Sequence, residues 1–188
     1  MHKSIPTSLA LLALVALPAC LSGSGRIDRL YESLAREVSS TDPVRLPNAQ
    51  TDARHHERAD LVHEIYKEGG IKSAQDAFKA AVILVGTQRA ADLQLAEELA
   101  LRSAEMGEPR GMRVAAEAID KRLMIAGHPQ MYGTQYVFEF VLDSWRLYPI
   151  DPTTTDEDRA VMSVPTYAEL LASEDAMNRA HKKKLRGQ

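Results

Sequence analysis

Apolar residues recur along most of this chain at the three- and four-residue steps of an amphipathic α-helix. Ile27, Leu30, Tyr31, Leu34, Ala35 and Val38 form the first stripe. The segment STDPVRLPNAQ (Ser40–Gln50) has two prolines and no period, and reads as a linker. Asp52 is placed to cap a second helix whose core face is Leu61, Val62, Ile65 and Tyr66, ended by Gly69-Gly70. SAQD (Ser73–Asp76) has the form of a capping box and opens a third helix rich in Ala and Ile. A fourth covers about Ala90–Met106 and stops at Gly107. A fifth carries Met112, Ala115, Ala116, Ile119, Leu123 and Ala126 on one stripe and stops at Gly127.

The period then changes to two. Tyr136, Phe138, Phe140 and Leu142 alternate with Val137, Glu139 and Val141; a turn at Asp143-Ser144 and the return WRLYPI predict a β-hairpin. Six of the ten aromatic residues lie between Tyr132 and Tyr148, so the hairpin is expected to pack on the helices. TTTDEDRAVM predicts a short helix, and TYAE (Thr166–Glu169) a second capping box opening the last one. The expected fold is mainly α: a compact helical domain of about six to seven helices with helical-hairpin packing and one small β-hairpin near 135–150. The stretch LAEELALRSAEMGEPRGMRVAAEAI is similar to tetratricopeptide-like and Sel1-like hairpins in its small residues and central Gly. No second copy recurs at a fixed period, so a repeat array is not expected.

The N-terminus departs from this pattern. Lys3 precedes the apolar run Leu9–Leu17, which is too short to cross a ~30 Å hydrocarbon core as a helix. A basic start, a short apolar run and small residues before a cut site predict a secretory signal over 1–19. Leu17-Pro18-Ala19-Cys20 resembles the bacterial lipobox, in which cleavage precedes the Cys and its sulfur takes a diacylglyceryl group. The alternative is an ordinary signal that happens to contain a Cys. Cys20 is the only cysteine, which excludes an intrachain disulfide and fits an acylation point. Acyl chains there, palmitate among them, would hold the chain on a membrane at about 0.8 kcal/mol per buried CH2. The expected organisation is a signal at 1–19, the acylated Cys, N-terminal helix and linker at 20–51, a helical domain at 52–180 and a basic tail at 181–188. The expected address is the cell envelope. By the lipoprotein sorting rule, Leu21 rather than Asp favours the outer membrane, facing the periplasm, in a double-membraned bacterium.

Charge narrows the partners. Lys and Arg number 23 against 26 Asp and Glu, a formal net charge of −3, and nothing in the bulk suggests nucleic acid. The one basic block, HKKKLRGQ, reads as a solvated tail or a contact to anionic lipid or cell wall.

Candidate chemistry gathers in AGHPQMYGTQYVFEF (Ala126–Phe140). Pro129 restricts the chain, and Gly127 and Gly133 allow positive φ. Gln130, Thr134 and Gln135 are suited to bond the loop backbone and pin the fifth helix to the hairpin. They equally suit a polar floor for a small ligand, walled by Tyr132, Tyr136 and Trp145. Asp120 and Arg122 lie upstream, as a surface ion pair or facing a ligand. The candidate ligand-binding set is therefore Asp120, Arg122, Gln130, Tyr132, Thr134 and Gln135. No catalytic residue is assigned: there is no Gly-x-Ser-x-Gly, and Cys20 is taken by lipid. His56, Asp60 and His63 share one helix face opposite the core stripe; that face is expected to be solvated, and neither a metal nor a cofactor is expected. Gly86-Thr87-Gln88 repeats the triplet of the loop on different flanks and reads as coincidence.

AIDKRLMIAGHPQMYGTQ and RLYPIDPTTTDEDRAVMSVPTYAELLA together resemble the bacterial domain-of-unknown-function family 6624, over about Asp52 to Ala172. Asp120, Gly127, Pro129, Gln130, Tyr132, Gly133, Thr134 and Gln135 match its first block, and Pro149, Ile150, Asp151 and Pro152 its second. Lys121 stands where the family has Arg, with Arg122 following. Leu84-Val85-Gly86 stands where many members have Gln-His-Gly. The resemblance implies a fold and no established activity. Two functions are carried forward: a non-catalytic binding module whose partner is an envelope protein or a small polar ligand, and a hydrolase-like enzyme with Asp120, His128, Gln130 and Gln135 around the loop.

Overall fold

The computed structural model describes residues 22–40 and 49–187. The expected signal, Cys20, Leu21, linker residues 41–48 and Gln188 lie outside the described residues. Those described form seven helices and one two-stranded antiparallel sheet: α1 Gly23–Ser40, α2 Ala49–Lys67, α3 Ala74–Val85, α4 Ala90–Glu105, α5 Arg110–Ile125, β1 Tyr136–Glu139, β2 Ser144–Leu147, α6 Asp156–Val161 and α7 Tyr167–Leu185. The mainly α fold with one small hairpin is the one the hydrophobic pattern predicts.

Helices α3, α4 and α5 pack as successive helical hairpins, with α1 and α2 against α3. Their contact faces are built from Ala77, Ala80, Ala81, Ala96, Ala100, Ala115, Ala116 and Ala118, all buried, with Ile83, Leu84, Leu93 and Leu99 filling between. Alanine faces let backbones approach closely while keeping high helix propensity. The closest approach is at Gly111, where a Cβ would overlap the Ser103 hydroxyl and the Ala100 carbonyl of α4. Ser73 and Asp76 form the expected capping box, as do Thr166 and Glu169; Thr155 and Asp158 form a third at α6.

Three local expectations change. Helix α2 starts at Ala49, so Asp52 lies in its first turn, where a carboxylate favours the positive end of the helix dipole, and is not the cap. Ala35 and Val38 are exposed: the last turn of α1 meets α2 through Glu37, which binds Arg54 at 2.7 Å and also pairs with Arg58. The hairpin is shorter than its alternation suggests. It pairs Tyr136 with Leu147 through Glu139 with Ser144, so Phe140–Asp143 form the turn and Asp143 takes a positive φ of 47°.

Candidate functional site

Helix α5 delivers Asp120 into the interior, 0% exposed, under the following loop. Its Oδ1 accepts the backbone N–H of Met131 at 2.7 Å and of Tyr132 at 2.8 Å. Its Oδ2 accepts those of Gly133 and Thr134, both at 2.9 Å, and the Thr134 hydroxyl at 2.9 Å. Four successive backbone donors thus wrap one carboxylate, an anion nest whose anion belongs to the chain itself. The neighbouring cations turn elsewhere: Arg122 is exposed and binds Glu97 at 2.6 Å, while Lys121 donates to the Val85 carbonyl at 2.8 Å. Burial holds the Lys121 amine below its ordinary pKa, against the pull of Glu117 and Asp52.

Gln130 is also fully buried and committed to backbone. Its Nε2 donates to the carbonyls of Gln135 (3.0 Å) and Tyr148 (2.8 Å), and its Oε1 accepts the N–H of Gln135 at 2.8 Å. Its own N–H reaches Pro149 O, and its carbonyl takes Asp151 N–H. Gln135 donates to the Thr134 hydroxyl at 2.9 Å. Gly133, at φ 97°, closes the turn where a Cβ would meet the side chains of Leu170 and Ile150.

The structure therefore gathers Asp120, Gln130, Thr134 and Gln135 into one clamp, and places the other expected groups apart from it. The side chains expected to wall a ligand are engaged elsewhere: Tyr136 donates to Leu170 O on α7 at 3.0 Å, and the Trp145 ring packs edge-on to Phe138 while its backbone exchanges two bonds with Asn178 on α7. His128 is exposed, whereas Asp120 and Gln130 are fully buried. Tyr132 borders an open cleft of about 330 Å³ with Met131, Asp151, Thr153, Asp158 and Val161. Burial, with Asp120 and Asp158 nearby, pushes its phenol up. The two cleft carboxylates are engaged locally: Asp151 accepts Thr153 N–H and hydroxyl, and Asp158 caps α6. Arg159, 4% exposed, holds the loop from the other side through Tyr132 O at 3.2 Å and Asp156 at 2.9 Å. Nothing in the sequence separated this arginine from surface ones.

Of the α2 face bearing His56, Asp60 and His63, expected to be solvated, Asp60 is exposed as expected, while His56 and His63 are half-buried toward the α3–α4 turn. His63 Nε2 is 2.8 Å from Asp92 Oδ1, and Asp60 takes Arg89 at 2.7 Å. Thr87 donates to Asp92 at 2.8 Å. The two Gly-Thr-Gln triplets thus share one device, a threonine hydroxyl on a buried aspartate. Among the described residues no cluster of three His, Cys, Asp or Glu side chains is arranged to hold a metal ion, and no helix is long and apolar enough to cross a membrane. Comparison with known proteins found no matching family model, no matching curated protein and no matching solved structure.

Proposed function

We propose that this chain is a cell-envelope lipoprotein, anchored through Cys20, whose folded domain is a non-catalytic interaction module. The observation that carries the reading is the hairpin. Behind it Asp120 and Gln130 hold the loop backbone, with Thr134 on Asp120 and Gln135 on Thr134, while the hairpin tip presents Phe140 (73% exposed), Val141 (97%) and Leu142 (59%) in succession. Three adjacent exposed apolar side chains on a stiff mount fit a contact surface. The four clamp residues fall at positions that resemble the first block of the unknown-function family, so that motif is read as a mounting device.

Two measurements test this. Labelled fatty acid is expected to enter the parent chain and not Cys20→Ser; label in the variant overturns the anchor. A photo-crosslinking residue at Val141 is expected to give adducts in cell envelopes that one at exposed Ala91 does not; equal yields overturn the module.

A further inference from the structure

Helix α7 runs beside β2 toward the hairpin tip. Glu174 accepts Leu147 N–H at 2.6 Å, Asn178 bonds Trp145 N–H and carbonyl at 2.7 and 2.9 Å, and His181 Nε2 lies 2.9 Å from Asp143 Oδ1. Two strand residues, about 6.6 Å, match four helical ones, about 6 Å, which keeps the two elements in step. The His181 ring also stands edge-on to Phe138, 5.1 Å between centroids. Past His181 the helix continues by one turn to Leu185, which is 65% exposed and, four residues on, shares the hairpin side. Lys182, Lys183, Lys184 and the C-cap Arg186 surround it, all exposed. Phe140, Val141, Leu142 and Leu185 therefore project at one end of the molecule beside four cations. Arg146 is exposed on β2, and the nearby carboxylates are Glu139 and Asp143, the latter paired with His181.

Resting on the reading of the hairpin as the interaction surface, we propose that the Phe140–Leu142 tip and the Lys182–Arg186 end of α7 form one contact site for the interface of an anionic phospholipid bilayer. The tip presents three successive apolar residues, against the roughly 20–30 residues a side of a stable protein interface. Its rim is mostly lysine, which protein interfaces deplete and anionic lipid surfaces attract, at about fivefold in affinity per cation. A second copy of the chain would set these cations against their own kind. The contact is separate from the acyl group and would give the domain a second hold on a membrane.

Trp145, the only tryptophan, lies in β2 against Phe138 and reports on the tip. The test uses the chain from residue 20 with Cys20→Ser, which keeps every described residue, and vesicles of phosphatidylcholine alone or mixed equally with phosphatidylglycerol. Mixed vesicles carrying brominated acyl chains are expected to blue-shift and quench Trp145. Phosphatidylcholine alone should do so weakly, and 1 M salt should reverse the effect by shrinking the Debye length to about 3 Å. Val141→Asp should weaken partition tenfold or more at an unchanged melting temperature, and Lys182→Glu with Lys183→Glu should do the same. No response to mixed vesicles, or equal partition of Val141→Asp, overturns the proposal. So does a response that tracks self-association, read by light scattering. If vesicles fail while a Val141 photo-probe still captures an envelope protein, the module stands and the lipid contact falls. If both fail, both fall.

Discussion

The Asp120 carboxyl group is fully buried, and among the described residues five donors from four consecutive residues satisfy its oxygens. Hydrogen bonds to a charged group contribute about 1.5–3 kcal/mol each, and a buried donor left unpaired costs about 1–3 kcal/mol. Asp120→Asn turns one acceptor into an NH2 group facing N–H donors. It should therefore remove about 3 kcal/mol or more from a total of ~5–15 kcal/mol. Gln130→Ala strands the Tyr148 carbonyl and the Gln135 N–H and leaves the Gln135 carbonyl only the Tyr148 N–H, and Gly133→Val strains a residue at φ 97° while driving methyls into Leu170. Both should melt well below the parent, by urea or thermal unfolding. If Gln130→Ala and Gln135→Ala melt at or above it, these side chains are held out for a ligand and the clamp reading fails. The sequence marked this loop by its Pro, Gly and amide residues. It could not say what pins it, because Asp120 lies eleven to fourteen residues upstream and a helical aspartate looks the same whether it faces water or backbone.

At the scale of elements, caps and turns decide where helices begin. Three capping boxes hold α3, α6 and α7, yet only the first and last were readable as boxes. In TTTDED each of Thr153, Thr154 and Thr155 has an acid three residues on, so the pattern fits three registers. Packing selects Thr155, while Thr153 closes a turn on Asp151. Thr155→Ala should cost about 1 kcal/mol, read by thermal unfolding; no change would mean that α6 is held by Arg159 alone. The partial covering of the α2 histidine face is not legible for a related reason: helical periodicity locates the apolar side but not a polar turn that partly covers the other. His55, one residue before that face and with its ring against Gly86, has a pH consequence of its own. Burial, then the charge of Arg58, hold the His55 imidazole below its ordinary pKa. The unfolded chain therefore binds the proton more readily. Stability from this group is complete above about pH 6.5 and falls as pH drops from there through the folded value. Parent protein should lose melting temperature between about pH 7 and pH 5, and His55→Gln should flatten that slope. Parallel slopes would remove His55 as the cause.

At the scale of the molecule, α1–α5 pack on one another and α7 packs on β2, while the loop after α5 joins the two groups. Leu170 and Ile150 complete the joint by packing over Gly133. This division was not visible in the sequence, where every apolar stripe counts alike toward one core. It matters because a hairpin is a useful contact surface only if its mount resists load. If Asp120 is the principal tie, its loss should loosen one group and spare the other, as expected for cooperative units of unequal stability. In Asp120→Ala, amides of β1, β2 and residues 131–135 should exchange with deuterium roughly a hundredfold faster, the counterpart of about 3 kcal/mol. Amides from Leu93 to Ala100, deep between α3 and α5, should keep most of their protection relative to the global unfolding limit. Equal acceleration everywhere would show one cooperative unit in which Asp120 supports the whole body. Acceleration confined to residues 131–135 would show that α7, through Glu174 and Asn178, holds the hairpin without the clamp. The expected pattern lies between these, because the bonds to α7 fix the hairpin to its helix, while the Asp120 nest, the Gln130 bridges and the apolar packing of Leu170 and Ile150 share in fixing that pair to the body.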